Sequence, residues 1–593
     1  MNTFPLIKTK WSNERVMAAV FSAAALYMLP GWVRNPASIL GFMLVLSVGL
    51  AIDVGVNYLR HKRPVCAVSA AVTVAILQAL TPGVPLWGEL LAVAVALLAS
   101  KHIWGGTGKN PVNPAMVGLL FLSLFFRVPS PAFEPSLLLL PALLLSLPFL
   151  LFRPFAAAGM MAGMVASLLL NQSYLADVLS YGVIFWGCLV IADPVTTTSQ
   201  PLPGALAGLL AGFVPMVLGG TTTAMALGIL AANGLSFVAD KLCANAGVHL
   251  RLSFKDKERI PFSQESTLFY ELAAGNAAPR DISSEGWTRD VILARIERNG
   301  VFGFGGAAFP TIRKIKAVLD AKPSECHLIV NGVECDPGLI HDKWLLRVRT
   351  NEIAQGIRLL EKCLPLRSVT VAVKDDEGIH FPYAIVVRRV PDYYPAGAEK
   401  ALIKEILHKS LPHDAIPAKV GILVLNVQTV FAIYEAVCLD RKADTRFFTV
   451  ADVNRKSASV VRVRLGMTVK DVMEELNLSA GCVFSGGGVM NARIAADDDT
   501  VDQFVNFLAV GMLPNYRESP NCSRCRLCCA VCPVGLKVND IAELVDNGKA
   551  GETGRLHPER CLACGSCSHV CLAGRNLTAR VITAKASVKN AVS

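Results

Sequence analysis

Eight cysteines in two matched sets have the clearest chemistry in this 593-residue chain. Cys522, Cys525, Cys528 and Cys532 precede Pro533 in a C-x2-C-x2-C-x3-C-P run, and Cys561, Cys564, Cys567 and Cys571 repeat the spacing. Three thiolates two residues apart wrap one iron–sulfur cube, and the fourth, past a short turn, reaches the other. The spacing therefore assigns Cys522, Cys525, Cys528 and Cys571 to one [4Fe–4S] cluster, and Cys561, Cys564, Cys567 and Cys532 to a second. A zinc ribbon would use two C-x2-C pairs and leave Cys528, Cys532, Cys567 and Cys571 unexplained. Cys529 reads as a packing residue, and Leu572 stands where a second proline would be expected. Paired clusters exchange single electrons, so this segment reads as a wire that needs a donor and an acceptor.

A second constellation lies upstream. "NGVFGFGGAAFPTIRKIKAVL" (299–319) runs from a glycine cluster into a helix-like stretch. Glycines let backbone N–H groups approach a phosphate, and the helix N-terminus that follows favours its charge. Lys314 adds a cation one turn past Pro310. "CHLIVNGVECDPG" (326–338) then reads as a buried strand ending in Asn331, Glu334 and Asp336. Strand ends beside a glycine loop are where α/β folds bind ligands. A glycine loop alone is weak evidence, since it is often only a tight turn.

The elements that must position these groups differ sharply along the chain. Residues 1–250 are almost continuously apolar, with about ten runs near the ~20 residues a membrane-spanning helix needs. Their basic residues fall in short loops: Lys8, Lys10 and Arg15 before the first run; Arg60, His61, Lys62 and Arg63 after the second. Lys101, His102 and Lys109 follow the fourth, Arg153 the sixth, and Lys241 closes the tenth; Arg34 and Arg127 are exceptions. That bias places both ends of the chain in the cytoplasm. The net charge of +11 thus reflects membrane topology, and no nucleic-acid partner is expected. Nine of the 17 cysteines crowd into 522–571 at metal-ligand spacing, which implies a reducing compartment. Met1 to Trp11 is polar, so no cleavable signal peptide is expected.

Two loops in the apolar half, "GGTGKNPVNPAM" (105–116) and "ADPVTTTSQP" (192–201), break the helical pattern with Gly, Pro, Asn, Asp and Thr. Such breaks either line a binding site or are ordinary turns. Asp53, inside the second run, is a functional candidate by default; its nearness to Arg60 favours a snorkelling or interface position.

At this point the residues match a known family. Residues 296–580 resemble RnfC, the cluster-bearing subunit of the Rnf ion-translocating electron transport complex, which shares a related core with the flavin subunit of respiratory complex I. The matching stretches, in order, are "GVFGFGGAAFPTIRK", "LIVNGVECDPG", "YPAGAEKALIKEIL" (394–407), "GILVLNVQTVFAIYEAV" (421–437), "SGGGVMNARI" (485–494) and both cysteine motifs. Residues 15–245 resemble RnfD, of the NqrB/RnfD family, through "TPGVPLW", "GGTGKNPVNPAM" and "ADPVTTTSQPLPG". The chain resembles an RnfD–RnfC fusion.

The resemblance implies non-covalent FMN that accepts hydride from NADH and releases electrons singly to the clusters. Carried over by motif, Gly303, Gly305, Gly306, Lys314, Asn331, Tyr394, Gly397 and Asn426 would hold the flavin. Glu334, Asp336 and Glu399 are the acidic, catalytic candidates near flavin or NAD(H). Two features depart from the family. The outside loop that bears a covalent FMN threonine in RnfD shrinks here to "RVPSPAFEPS" (127–136), without threonine. A covalent FMN is therefore not expected, while a second, non-covalent flavin near the two Gly/Pro loops stays open. The barrel-like domain that opens RnfC has only 251–295 available and looks lost or vestigial.

The expected architecture is multidomain. A polytopic α-helical membrane domain (1–250) leads through a connector (251–295) to an α/β FMN/NADH-binding domain (296–445). A small β-rich, ubiquitin-like (β-grasp) unit (446–515), a helical two-[4Fe–4S] ferredoxin domain (516–580) and a tail (581–593) follow. The expected function is an Rnf-like NADH/ferredoxin oxidoreductase subunit of the inner (cytoplasmic) membrane. It would pass electrons between NAD(H), FMN, two clusters and a membrane or ferredoxin partner, with other membrane subunits completing the path. Coupling to Na+ or H+ transport stays open; the alternative is a non-pumping, membrane-anchored donor module.

Overall fold

The computed structural model describes the chain apart from residues 1–3, 10, 63–67, 129–138, 171–181, 199, 243–250, 255–267, 273–285, 307, 322, 324, 375–377, 383–384, 413, 453–456, 479–480, 512–517, 520–521 and 593. Most of the 127–136 loop lies outside the described residues.

Each apolar run of the first half carries a helical segment. Asn13–Arg34 and Ala37–His61 come first, and Asn13–Arg34 together with Ala37–Arg60 is long and apolar enough to cross a membrane. Val68–Leu80, Leu86–Val95 continued by a π-helical turn Ala96–His102, and Pro114–Phe125 follow. Leu139–Phe152, Pro154–Leu170, Val183–Phe185 with a second π-helical turn Trp186–Val190, Pro201–Val217 and Thr222–Leu242 complete the set. Outward-facing Leu40, Leu124 and Leu202 are largely exposed, as a lipid-facing surface requires. Both Gly/Pro loops follow a π-helical turn and end at a helix that opens with proline, where the missing N–H costs nothing. Asn113 caps the first of these helices through Ala115 N and takes part in a second contact, its own N–H donating to Asn233 Oδ1 at 3.0 Å.

Asp53 is fully buried against Lys101 and His102. The interface position favoured from sequence is therefore overturned: the π-helical turn brings two bases inward to meet it.

Among the described residues the second half contains ten strands: β1 (Leu268–Glu271), β2 (Cys326–Gly332), β3 (Leu366–Val373), β4 (Val386–Arg389), β5 (Ile422–Asn426), β6 (Thr445–Asp452), β7 (Ser457–Arg464), β8 (Cys482–Gly488), β9 (Asn491–Ile494) and β10 (Phe507–Gly511). Four form an all-parallel sheet in the order β4-β3-β2-β5. Its central strand buries Leu328, Ile329 and Val330 completely, which explains the unbroken apolar run "LIV". The other six form a mixed sheet, β1-β7-β6-β10-β8-β9, in which β10 runs parallel to β6 between two antiparallel hairpins. The connector supplies its edge strand β1, parallel to β7.

The cysteine-rich segment packs the short helices Leu527–Ala530 and Ser566–His569 with the longer Val538–Asp546 and Leu577–Val592. Residues 581–592, read from sequence as a tail, are part of that last helix.

The N-terminal residues leave the membrane half and strap the other units together. Phe4 pairs with Ala492 of β9, Leu6 N donates to Val489 O, Thr9 N to His569 O, and Asn13 N to Leu572 O. Ser12 then caps the first membrane helix through Arg15 N.

Candidate functional site

The glycine loop closes on itself before it meets the sheet. Gly303 N donates to Phe309 O at 2.9 Å, and Phe304 N donates to Thr429 Oγ1 at 3.0 Å. Gly306 adopts φ +94°, which suits glycine, and Gly305 lies within van der Waals reach of Asn426. Ala308 is also left-handed, at φ +48°.

The loop faces the C-terminal ends of β2 and β5, where Asn331 and Asn426 sit side by side in register. Asn331 Nδ2 donates to Gly397 O at 2.9 Å, and its Oδ1 accepts from Val333 N. Asn426 Oδ1 caps the helix Val427–Cys438 through Gln428 N, while its Nδ2 donates to Asp342 Oδ2 at 2.7 Å. Lys314 Nζ lies 3.0 Å from Glu399 Oε1 and donates to Val424 O. Gly305, Gly306, Lys314, Asn331, Gly397, Glu399 and Asn426 are thus gathered at one edge of the parallel sheet.

The remaining acids have other partners. Glu334 accepts from Asp342 N at 2.6 Å and Lys343 N at 3.1 Å, at the start of the helix His341–Val348. Asp336 accepts from Gly338 N, Val489 N and Met490 N, tying the strand end to the β8–β9 turn. Its full complement of backbone donors gives it a fastening role. Tyr394 points to the second cysteine motif, its hydroxyl donating to Cys564 O at 2.6 Å.

Three residues that sequence reading missed complete the floor. Asp342, His341 and Arg446 are all buried. Burial pushes the Glu334 and Asp342 carboxyls well up, and Asp342 pushes Glu334 further. Burial, helped by the Arg446 charge, holds His341 down at about 3, hence neutral. Asp342 Oδ1 has no hydrogen-bond partner among the described residues. No spacing rule pointed to these side chains; the one available signal was an acid and a histidine adjacent in "GLIHDKW". A cradle without Cβ atoms, a cation, two amides and a bare carboxyl oxygen fit a flavin mononucleotide.

The cysteines fall into the two crossed sets. Cys525 feels the Cys522 and Cys571 thiols, and Cys532 those of Cys564 and Cys561; burial first, then these neighbours, push each up to about 11. Bare thiolates are thus disfavoured, and iron would reverse that. Both motifs wrap alike: Arg524 and Arg526 in the first, and Ala563 and Gly565 in the second, are left-handed. Arg524 N, Leu536 N and Ala563 N point at the sulfurs of Cys522, Cys532 and Cys561 at 3.3–3.4 Å. The donor set fits two [4Fe–4S] cubes. Cys529 instead donates to Asn539 Oδ1 at 2.9 Å.

The first motif abuts the membrane half. Gly108, at φ +81°, packs so closely on the Cys522 carbonyl that a Cβ has no room. Arg153 donates to Cys525 O, and also to Thr197 O and Pro194 O of the second Gly/Pro loop. Lys109 pairs with Glu543 at 3.0 Å. Both Gly/Pro loops therefore meet one cysteine motif, while the other motif meets Tyr394.

Comparison with known proteins agrees with this division. Residues 1–134 match the NQR2, RnfD, RnfE family, and residues 296–435 match the Nuo51 FMN-binding domain. The C subunit of the ion-translocating oxidoreductase complex of Pseudomonas aeruginosa is 34% identical over 263 residues, 41% of this chain and 33% of that protein. Its counterpart in Rhodobacter capsulatus is 30% identical over 279 residues, 44% of this chain and 51% of that protein. The chain thus spans a third to a half of these relatives' length. An NAD+-reducing [NiFe]-hydrogenase in its H2-reduced state is 16% identical over 51% of this chain and 63% of that one, with a TM-score of 0.36, too slight a likeness to bear on function. The first part of the chain is similar to RnfD and the second to RnfC, and a fusion of those two subunit types fits both matches.

Proposed function

We propose that the chain is a membrane-bound, Rnf-like oxidoreductase subunit that passes electrons between NAD(H) and a membrane or ferredoxin partner. The observation that carries this reading is the placement of two four-thiol sets between a glycine-loop cradle, reached through Tyr394 and Cys564, and the membrane loops, reached through Gly108 and Cys522.

Non-covalent FMN in the cradle would supply the exchange between hydride chemistry and single electrons, and two [4Fe–4S] clusters would supply one-electron relays. Gly305 and Gly306 would admit the phosphate to backbone N–H groups, with Lys314 as counter-charge held in place by Glu399. Asn331 and Asn426 fix the strand ends under the ring, and Gly303 and Gly397 shape the loops on either side. Glu334 and Asp342 hold a proton beneath the site at neutral pH, and the half-buried Glu399, paired with Lys314, is the acid nearest solvent where NAD(H) would approach. Asp336 positions the β8–β9 turn. The ferredoxin-like reading of 516–580 and the β-grasp reading of 446–515 belong to this proposal, as do the inner-membrane location with cytoplasmic termini and the other Rnf-like subunits. A second non-covalent flavin would sit at the Gly/Pro loops.

The detergent-purified full chain should contain FMN, iron and acid-labile sulfide, and should reduce ferricyanide with NADH. A chain with clusters but neither flavin nor NADH activity would leave the alternative, a membrane-anchored donor module fed by another protein.

A further inference from the structure

A buried acid–base triad sits where the first cysteine motif meets the membrane half. Asp53 has no exposed surface, and Lys101 and His102 are 2% and 3% exposed. One Asp53 oxygen lies 2.8 Å from Lys101 Nζ and 3.0 Å from His102 Nε2; the other accepts from Asn57 Nδ2 at 3.2 Å. The π-helical turn Ala96–His102 delivers both bases from adjacent positions, and such turns gather at functional sites. His102 Nδ1 is buried with no hydrogen-bond partner among the described residues. A histidine kept only for structure would avoid that cost.

The triad is joined to the cluster side by a file of polar groups. Lys101 Nζ donates to Ser69 Oγ at 3.0 Å, and Ser69 Oγ lies 3.4 Å from Thr107 Oγ1. Thr107 borders a cavity of about 50 Å³ shared with Lys101, Asp193 and Ser523, and a wider one of about 380 Å³ shared with Cys522. Charged groups line the wider cavity, namely Arg60, Lys109, Arg524, Glu543, Asp546 and Arg575, and are sparser on the helices around the triad. Ala37–His61 also carries Tyr58, Arg60 and His61, with Arg60 donating to the His102 carbonyl. Leu86–Val95 carries Glu89, which accepts from Gln78; Pro114–Phe125 carries none.

The charge count decides what such a site can take. Asp53 already holds the Lys101 ammonium, so a metal cation would have to displace a fixed positive charge. A proton needs only the open His102 nitrogen. An electron placed on the neighbouring cluster adds one negative charge beside a low-dielectric interior, where it is weakly screened.

We propose that the Asp53–Lys101–His102 triad is a proton-loading site whose affinity rises when the cluster of Cys522, Cys525, Cys528 and Cys571 is reduced. With both clusters bound, the electron that this cluster takes would come from the flavin by way of the cluster beside Tyr394. One proton from cytoplasmic water would reach the triad past Thr107, Ser69 and Lys101 and be taken up at the open nitrogen of His102 beside Lys101; passage of the electron to the membrane partner would release it. This rests on the cluster reading above.

The test is a dithionite potentiometric titration of the detergent-purified full chain, followed by EPR between about pH 6 and about pH 8, the range in which histidine titrates. One cluster should show a midpoint that falls tenfold in equilibrium constant, 59 mV, per pH unit, and the other should stay flat. His102→Gln should flatten the slope while keeping both signals, and Asp53→Asn is the second variant should the first not fold. Flat midpoints in the unaltered chain, or a slope that survives His102→Gln or Asp53→Asn, would overturn the proposal. Absence of any reducible signal in the unaltered chain would instead sink the cluster reading, and the proposal with it.

Discussion

The Tyr394 hydroxyl donates a 2.6 Å hydrogen bond to the carbonyl oxygen of Cys564. The loop that approaches the glycine-loop cradle through Gly397 therefore touches the peptide of a cysteine in the second motif. Tyr394→Phe removes the bond while keeping the ring that packs on Phe254. It should cost about 1 kcal/mol of stability and slow electron passage from flavin to clusters in stopped-flow absorbance. Unchanged kinetics would mean that electrons leave the cradle elsewhere.

Ala308 stands at φ +48°, a conformation that costs a residue with a Cβ roughly 1–2 kcal/mol. Ala308→Gly should stabilise the protein by up to about 1 kcal/mol, since glycine's extra freedom in the unfolded chain takes back part of the gain. Chemical denaturation monitored by flavin release checks this.

Glu334 binds its proton more tightly in the folded chain than in the unfolded one, because burial and Asp342 raise it. The stability this provides is complete below the ordinary value of 4.5 and is lost as pH rises toward neutrality and beyond. Glu334→Gln stays neutral throughout, although it gives up one of the two acceptor oxygens that cap the following helix. The variant should therefore gain on the parent by about 1 kcal/mol or more between about pH 5 and about pH 8. Parallel stability curves would place the proton elsewhere.

Cys571 belongs by sequence to the second motif but lies beside Cys522 and Cys525. Cys571→Ser should therefore disturb the cluster facing the membrane loops and spare the one facing Tyr394. EPR of the dithionite-reduced variant distinguishes them: loss of the signal that responds to Tyr394→Phe would contradict the crossed assignment.

What the sequence disclosed follows from distance along the chain. The two cysteine motifs stood out because three of each set are local, and the fold brings Cys571 beside Cys522 and Cys532 beside Cys561 and Cys564, as a crossed arrangement needs. Strand β2 was legible from its apolar run. Asp342, His341 and Arg446 were not, because they reach Asn426 and Phe304 only through tertiary packing. Glu334 and Asp336, two residues apart, suggested one shared role, and the fold gives them different partners. Asp53 was misread because a bent turn some fifty residues away supplies its counter-charges. The docking of residues 4–9 on β9 and the second cysteine motif had no periodic signal at all.

Gly108 tests the junction between wire and membrane. With φ +81° and the Cys522 carbonyl against it, Gly108→Ala must shift the first cysteine motif. NADH–ferricyanide activity should persist, while delivery to the membrane acceptor falls by roughly tenfold or more, as small misplacements do. Equal loss of both would show a general folding defect.

An anaerobic NADH titration of the detergent-purified chain, followed by flavin and cluster absorbance with EPR at each step, tests the central claim most directly. The account predicts that NADH bleaches the flavin and that both clusters are then reduced, one electron each. Clusters that dithionite reduces while NADH leaves them and the flavin untouched would contradict it.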